Sequence, residues 1–138
     1  MRGIPETMQR PEFLKYDNLV PDILKYFSEL QNRYIQKNIH QLIIDPGFGF
    51  SKNLEQNFEL LHKLELFEIM ELPLLVGLSR KSMIAKTLHT TSDDALFGTI
   101  SAQTIALMKG ASILRVHDVK AAKDAIDIYK KMMSSNHV

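Results

Sequence analysis

The spacing of apolar residues alternates along the chain between a helical period and short unbroken runs. The first helical stretch lies between Asp17 or Asn18, either of which would cap a helix, and Asn38, which would end it. Pro21 falls in the first turn, where a missing N–H is tolerated. The apolar side chains recur every three or four residues, which predicts one stripe facing the core, formed by Ile23, Phe27, Leu30 and Tyr34.

Three later stretches also have a helical pattern, and between the second and third of the predicted strands a loop runs into a short helix within 79–88. The second helix is predicted from the stripe Leu54, Phe58, Leu61 and Leu64. Asp93 or Asp94 would cap a longer helix that continues to Lys109 and carries small residues suited to close packing, namely Gly98, Ser101, Ala102 and Ala106. The last helix is predicted from the stripe Ala122, Ile126, Tyr129 and Met133.

Three runs of consecutive apolar residues lie between these helices, at 41–45, 72–79 and 111–118. Runs of this kind are typical of strands that are buried on both faces. Strands that alternate with helices imply right-handed crossovers and a parallel sheet covered by helices. The sequence therefore predicts an α/β fold, with residues 1–138 forming a single domain.

Composition and charge restrict the classes of function. The chain has 17 basic and 16 acidic residues, so its net charge of +1 creates no field that favours nucleic acid or anionic membranes. It has no cysteine, which excludes disulfides and thiolate metal sites within the chain. No apolar stretch approaches the roughly 20 residues that span a bilayer, and the first residues are too polar for a secretory signal. We therefore expect a soluble cytoplasmic protein that binds neither nucleic acid nor membranes.

Polar residues and glycines gather where each predicted strand ends. In parallel α/β structures the loops diverge at the carboxyl ends of the strands, and ligands bind there. A ligand site is therefore predicted from three strand ends together: Asp45 after the first run, Gly77, Ser79, Arg80 and Lys81 at the second, and Arg115 and His117 at the third.

The residue types leave several chemistries open. Asp45 could bind a metal, act as a base, accept paired N–H groups from a ligand, or simply stabilise a turn. Arg115 and His117 are two positions apart on a strand, so they share a face and could hold a phosphate or pyrophosphate. The glycine-rich stretch 47–52 is not a Walker loop, because that loop needs a glycine directly before its lysine. It is not a dinucleotide fingerprint either, because Lys52 stands where that pattern has its third glycine. No cluster predicts a metal site built from this chain alone, and no triad is predicted.

Three motifs also carry a family resemblance. "DPGFGFSKN", "PLLVGLSRKS" and "LRVHDVK" occur in this order and resemble the C-terminal half of the dihydropteroate synthase family, with "MRGIPETMQ" similar to the segment after the fifth barrel strand. The resemblance implies about the second half of a (β/α)8 barrel. It also implies an enzyme of folate biosynthesis, the target of sulfonamides, that joins 6-hydroxymethyl-7,8-dihydropterin pyrophosphate to p-aminobenzoate, giving 7,8-dihydropteroate and pyrophosphate.

The resemblance assigns four residues to the pterin. Asp45 would accept the paired N–H groups of the aminopyrimidine edge. Lys81 would reach the pterin carbonyl and ring nitrogen, Gly77 would let the pterin approach the backbone, and Arg115 would flank the ring.

The second substrate and the leaving group involve an overlapping set. Phe50, Ser79 and Lys81 would border the p-aminobenzoate site, and Arg115 with His117 would hold the departing pyrophosphate. The implied catalytic residues are Lys81, Arg115 and His117. Pyrophosphate departure would leave an electrophilic pterin methylene, which the arylamine attacks, so catalysis would consist of positioning and charge stabilisation.

The chain departs from the family pattern in two positions and in length. Ser51 stands where a third loop glycine is common in the family. Ala85 stands where the family pattern SRKSxIG has glycine. A barrel of this class needs about 250 residues, so we interpret the chain as a fragment that binds pterin weakly and does not turn over alone. The Mg²⁺ ligands are expected in the other half, and a homodimer is expected through the last helices. The alternatives are a non-catalytic pterin- or anion-binding half-barrel and a folate-binding methyltransferase domain.

Overall fold

The computed structural model describes residues 6–8 and 10–135, in which helices surround a small parallel sheet. The elements are a 3-10 helix at Pro11–Phe13, α1 (Leu19–Ile35), α2 (Leu54–His62), a second 3-10 helix at Leu64–Met70, β1 (Leu75–Val76), α3 (Ser82–Thr87), α4 (Leu96–Met108), β2 (Ile113–Leu114) and α5 (Val119–Ser134). The order of the helices agrees with the sequence prediction. The opening segment that resembles the family lies partly outside the described residues.

The strands are parallel but much shorter than predicted. β1 pairs with β2 so that Leu75 lies opposite Ile113, a separation of 38 residues. The predicted strand at 41–45 is reduced to one parallel bridge between Ile44 and Leu74. Its predicted burial on both faces is wrong, because Ile44 is 6% exposed whereas Ile43 is 58% exposed. One face of this segment therefore packs on the core and the other is open.

The first helix begins and ends close to the predicted positions. Asn18 is the N-cap residue of α1, but its side chain makes no capping hydrogen bond. The helix ends at Ile35, and Asn38 then adopts a left-handed conformation with φ 64°, which asparagine tolerates better than most residues. Within the stripe, Ile23 is buried and Phe27 packs against the core, while Tyr34 is 41% exposed.

α2 starts at a complete capping box. The Asn53 side chain accepts from the N–H of Gln56, and the Gln56 side chain accepts from the N–H of Asn53. Contrary to the prediction, Leu64 belongs to the following 3-10 helix, where it is fully buried, and Phe58 is 38% exposed. The apolar side of these two elements closes the core beside α1, with Phe67 edge-on to Phe27.

The predicted cap of α4 is wrong. Ala95 is the N-cap residue, and the carboxylate of Asp94 instead accepts from the Thr91 hydroxyl. Close packing of the helix is confirmed at Gly98, where an added Cβ would lie 2.5 Å from Leu88 and 2.7 Å from Ile84. Of the other small residues, Ala102 and Ala106 are buried, whereas Ser101 is exposed.

A continuous set of buried apolar side chains extends from Leu19 to Ala111 and includes Ile44, Val76 and Leu78 beside the sheet. α4 packs against both α3 and α5. Within the part of the chain that the structure describes, no helix combines the length and apolar character needed to cross a membrane.

Candidate functional site

The carboxyl ends of β1 and β2 form one cleft of about 240 Å³. Its walls bring together five residues that the sequence predicted for the site, with Val116 beside them: Gly77, Ser79, Lys81, Arg115 and His117. Parallel pairing explains this convergence, because the segments that follow β1 and β2 leave the sheet at the same edge.

The register of the sheet continues into the two loops. Ser79 Oγ lies 3.2 Å from the backbone nitrogen of His117 and 2.9 Å from its Nδ1. One position further on, Arg80 donates two hydrogen bonds to the Asp118 carboxylate, at 2.9 and 2.8 Å. Both pairs keep the separation of 38 residues that β1 and β2 have.

The sequence placed Arg80 among the strand-end residues of the predicted ligand site but gave it no partner, and it assigned no role to Asp118. The backbone of Arg80 is left-handed with φ 54°, and its guanidinium also donates to the carbonyl of Asp93 at 2.8 Å. This ion pair raises the pKa of Arg80 and lowers the pKa of Asp118, in both cases mainly through their mutual hydrogen bonds. Only knowledge of the strand register could have paired these two residues in advance.

Gly77 makes room for a neighbouring cation. A Cβ added at Gly77 would lie 3.1 Å from Nε and Nη2 of Arg115, so the guanidinium lies across this glycine. The approach of a pterin to the backbone at Gly77 stays a prediction.

Lys81 connects this cleft to the loop that follows residue 45. Its Nζ lies 4.4 Å from the centre of the Phe50 ring, and its Cδ would be 3.2 Å from a Cβ added at Gly49. Burial lowers the pKa of Lys81, the charge of Arg115 lowers it further, and Asp45 opposes both effects. Lys81 is therefore a partly desolvated cation between a like charge and an opposite charge.

Asp45 and Phe50 line a second, adjoining cleft of about 140 Å³. Asp45 Oδ1 accepts from the backbone N–H of Gly47 at 2.8 Å, so the carboxylate does stabilise a turn. The loop is further held by Lys52, which is 6% exposed and donates to carbonyl oxygens of the loop at Pro46, Gly47 and Phe50. The sequence did not predict a structural role for Lys52. Its position directly after a glycine-rich turn was the available signal.

The described residues do not fit a metal site of their own. They include no group of three or more His, Asp or Glu side chains placed to hold an ion. Asp22 lines the same cleft as Asp45, and its Oδ2 accepts from the N–H of Asp17.

Comparison with known proteins places this geometry in a family. The model of the pterin binding enzyme family matches residues 1–117. The dihydropteroate synthase of Escherichia coli (strain K12) is 44% identical over 137 residues, which cover 98% of this chain and 48% of that protein.

Two solved structures are similar. The Yersinia pestis dihydropteroate synthase in a sulfonamide drug complex is 41% identical with a TM-score of 0.93, covering 98% of this chain and 49% of that one. The Thermus thermophilus dihydropteroate synthase in complex with 4-aminobenzoate is 34% identical with a TM-score of 0.86, covering 92% and 49%. The chain thus spans about half the length of the relatives it matches. It belongs to the pterin binding enzyme family.

Proposed function

We propose that this chain supplies the pterin- and pyrophosphate-binding half of a dihydropteroate synthase, a transferase of folate biosynthesis. The observation that carries the proposal is the cleft at the ends of β1 and β2, where Lys81, Arg115 and His117 lie together. Three donors on one cleft suit an anionic leaving group. The similarity to dihydropteroate synthases over nearly the whole chain supports the same assignment.

We also propose that residues 1–138 form a single domain that corresponds to about half of a (β/α)8 barrel. Three parallel segments, ending at Asp45, Gly77 and Arg115, with helices packed outside them support this architecture. The exposed face of Ile43 would then belong to the barrel interior.

For the pterin, we propose that Asp45 accepts the two N–H groups of the aminopyrimidine edge. One oxygen of the carboxylate already accepts from Gly47, but a carboxylate has about four acceptor positions, so both oxygens can still receive ligand bonds. Lys81, with Arg115 and Gly77, would complete the pterin site from the other cleft. The opposing effect of Asp45 on the Lys81 pKa supports their proximity.

For the chemistry, Arg115 and His117 would hold the pyrophosphate as the bond between the pterin methylene carbon and the leaving oxygen breaks. Pyrophosphate would depart with the bonding electrons, and charge-assisted hydrogen bonds to its oxygens would stabilise it. The amine of p-aminobenzoate would then form the new C–N bond and lose a proton. Phe50, Ser79 and Lys81 would hold this second substrate, with Lys81 and Phe50 already in contact.

We also propose a metal site, a dimer interface and a cellular location, none of which involves the two clefts. Mg²⁺ would be held by ligands outside the residues that the structure describes. A homodimer would form through the last helices, where Phe97 and Ile128 are exposed. The expected cytoplasmic location stays a prediction.

Calorimetric titration with a pterin pyrophosphate analogue tests the proposal. We expect saturable binding that Asp45→Asn abolishes, because an amide has a single acceptor oxygen and its NH2 group would face the second ligand N–H as another donor. Asp124→Asn is the matched control, since Asp124 lies in an exposed ion pair with Lys120. Absence of binding by a chain that circular dichroism shows to be folded would refute the assignment for this chain.

An assay for dihydropteroate separates the alternatives. Formation of the product by this chain, alone or mixed with the complementary half of a related enzyme, supports the synthase. Saturable pterin binding with no gain in synthesis under either condition would instead favour the non-catalytic binding module. Methyl transfer would favour the folate-binding methyltransferase domain.

A further inference from the structure

We propose that Ser79, Arg80 and Asp118 form a latch between the two strand-end loops that orients His117 and fixes its neutral ring with the proton on Nε2. This inference deepens the proposed pyrophosphate site, on which it rests, and assigns Ser79 and the ion pair as positioning residues.

The hydrogen bonds of Ser79 determine which nitrogen of His117 carries the ring proton. The backbone N–H of His117 donates to Ser79 Oγ at 3.2 Å and uses one of the two lone pairs of that oxygen. If an Nδ1–H used the second lone pair, the hydroxyl proton of Ser79, a residue that is 6% exposed, would have no acceptor among the described residues. Donation by the Ser79 hydroxyl to His117 Nδ1, 2.9 Å away, gives this proton a partner. A ring nitrogen that accepts a hydrogen bond carries no proton, so the neutral ring must carry its proton on Nε2.

The consequence for the cleft is a hydrogen-bond donor at every protonation state. With the proton on Nε2, a neutral His117 can donate to a phosphate oxygen without first being charged. The opposite tautomer would present a lone pair on Nε2 to the anion and repel it. Ser79 therefore acts through His117, independently of any contact that it makes with the second substrate.

The ion pair of Arg80 and Asp118 holds the two loops in register. Asp118 is the N-cap residue of α5, yet its side chain makes no capping hydrogen bond, and both carboxylate oxygens receive Arg80 instead. The backbone N–H of Arg80 donates to Thr99 of α4, and its guanidinium reaches the Asp93 carbonyl. Arg80 thus ties together the loop after β1, the segment before α4 and the loop after β2.

The ordering of three segments by one guanidinium suits a positioning role. Arg80 and Asp118 directly follow the pair Ser79 and His117, so a slip of either loop would break both contacts. A lysine at position 80 could not reproduce the two parallel hydrogen bonds to the carboxylate.

The tautomer can be read directly from the ring nitrogen chemical shifts of His117, by ¹⁵N NMR at about pH 9, well above the ordinary histidine pKa of about 6.5. We expect the Nε2–H tautomer in the protein and a mixture of tautomers in Ser79→Ala. Ser112→Ala is the matched control, because Ser112 Oγ also joins the same two chain segments, at Leu74, but at their opposite ends. A ring that carries its proton on Nδ1, or shifts that Ser79→Ala leaves unchanged, would overturn the proposal.

Binding of inorganic pyrophosphate gives the second readout. We expect Ser79→Ala and Arg80→Lys each to weaken it by about three- to tenfold, the range expected for one hydrogen bond. Glu65→Gln, which removes the remote ion pair with Lys109, should leave the affinity unchanged. Equal affinities in all variants of a chain that binds pyrophosphate would overturn the positioning role.

The two measurements separate this inference from the proposed function. The ring tautomer is measured without ligand, so a latch that sets the tautomer in a chain that binds no pyrophosphate would support the latch while refuting the anion site. Pyrophosphate binding by a chain whose neutral His117 ring carries its proton on Nδ1 would support the anion site while refuting the latch.

Discussion

Lys52 has the most unusual environment of the residues around the clefts. The residue is only 6% exposed, a degree of burial that lysine rarely reaches without compensation. Carbonyl oxygens of Pro46, Gly47 and Phe50 lie 2.9, 3.0 and 3.2 Å from Nζ and provide part of that compensation. Lys52 therefore joins three backbone carbonyl groups of a loop with two left-handed glycines.

We predict that Lys52→Met lowers the free energy of unfolding by about 1–3 kcal/mol, because buried carbonyl groups lose a charged donor. Urea denaturation monitored by circular dichroism measures this change. Lys63→Met is the matched control, since Lys63 pairs with Glu59 at the surface and such pairs contribute little. A loss of the same size in both variants would show that Lys52 has no special structural role.

The residue types of the candidate site could be predicted from the sequence, whereas their partners could not. A cation after a strand end indicates a site on general grounds, and five predicted residues do share one cleft. However, the side chain across Gly77 and the partner of Arg80 depend on which residues face each other between strands. That register is set by pairing across 38 residues of intervening chain, which no local pattern encodes.

At the scale of elements, helix positions were predictable because their signals are local. The capping box at Asn53 and the stop at Asn38 act within one turn of the chain. The cap predicted at Asp93 or Asp94 failed because Asp94 accepts from Thr91 and the Asp93 carbonyl accepts from Arg80. A competing local bond at Asp94 and a tertiary contact at Asp93 thus stand where the cap was predicted at the start of α4.

The strands were predicted too long for a related reason. An unbroken apolar run indicates burial, but only hydrogen bonds to a neighbour make a strand. Within the described residues, the run at 41–45 has one bridge, at Ile44, and Ile43 remains largely exposed. Burial of both faces would require further partners for this segment.

Gly98 provides the sharpest test of helix packing. Its small size lets α4 approach α3, and an added Cβ would overlap with Leu88 and Ile84 at 2.5 and 2.7 Å. We predict that Gly98→Ala lowers the free energy of unfolding by about 1–2 kcal/mol. Overpacking costs about 1–3 kcal/mol, and the higher helix propensity of alanine offsets up to about 1 kcal/mol.

Ser101→Ala on the exposed side of α4 is the control for this effect. It removes a hydroxyl that bonds to the carbonyl of Phe97 one turn earlier, and should leave stability unchanged or slightly raised. Denaturant titrations of both variants measure the difference. A stabilised Gly98→Ala variant would mean that the two helices can separate without cost.

At the scale of the whole molecule, the distribution of exposed apolar side chains bears on self-association. The two helices that pack against each other at the end of the chain carry several of them, namely Phe97, Ile105 and Met108 on α4 and Ile128 and Met132 on α5. Phe97 is 84% exposed and Ile128 is 74% exposed, which is unfavourable for large apolar residues unless another surface covers them.

The proposed homodimer would bury these side chains against a second copy of the chain. We predict that sedimentation equilibrium gives twice the monomer mass of 15.8 kDa at micromolar concentration, and that Phe97→Asp with Ile128→Asp gives the monomer mass, because a carboxylate in an apolar interface must be desolvated. Helical circular dichroism should be preserved, since both side chains lie outside the core.

Ile69→Asp distinguishes this interface from general stickiness. Ile69 is 78% exposed, as much as Ile128, but it lies on the 3-10 helix Leu64–Met70 and not on the last helices. The dimer should therefore persist in Ile69→Asp. If this variant dissociates as readily, or if the unmodified chain is monomeric at all concentrations, the last helices are not the interface, and the proposal of a dimer through them fails while the assignment of the clefts is unaffected.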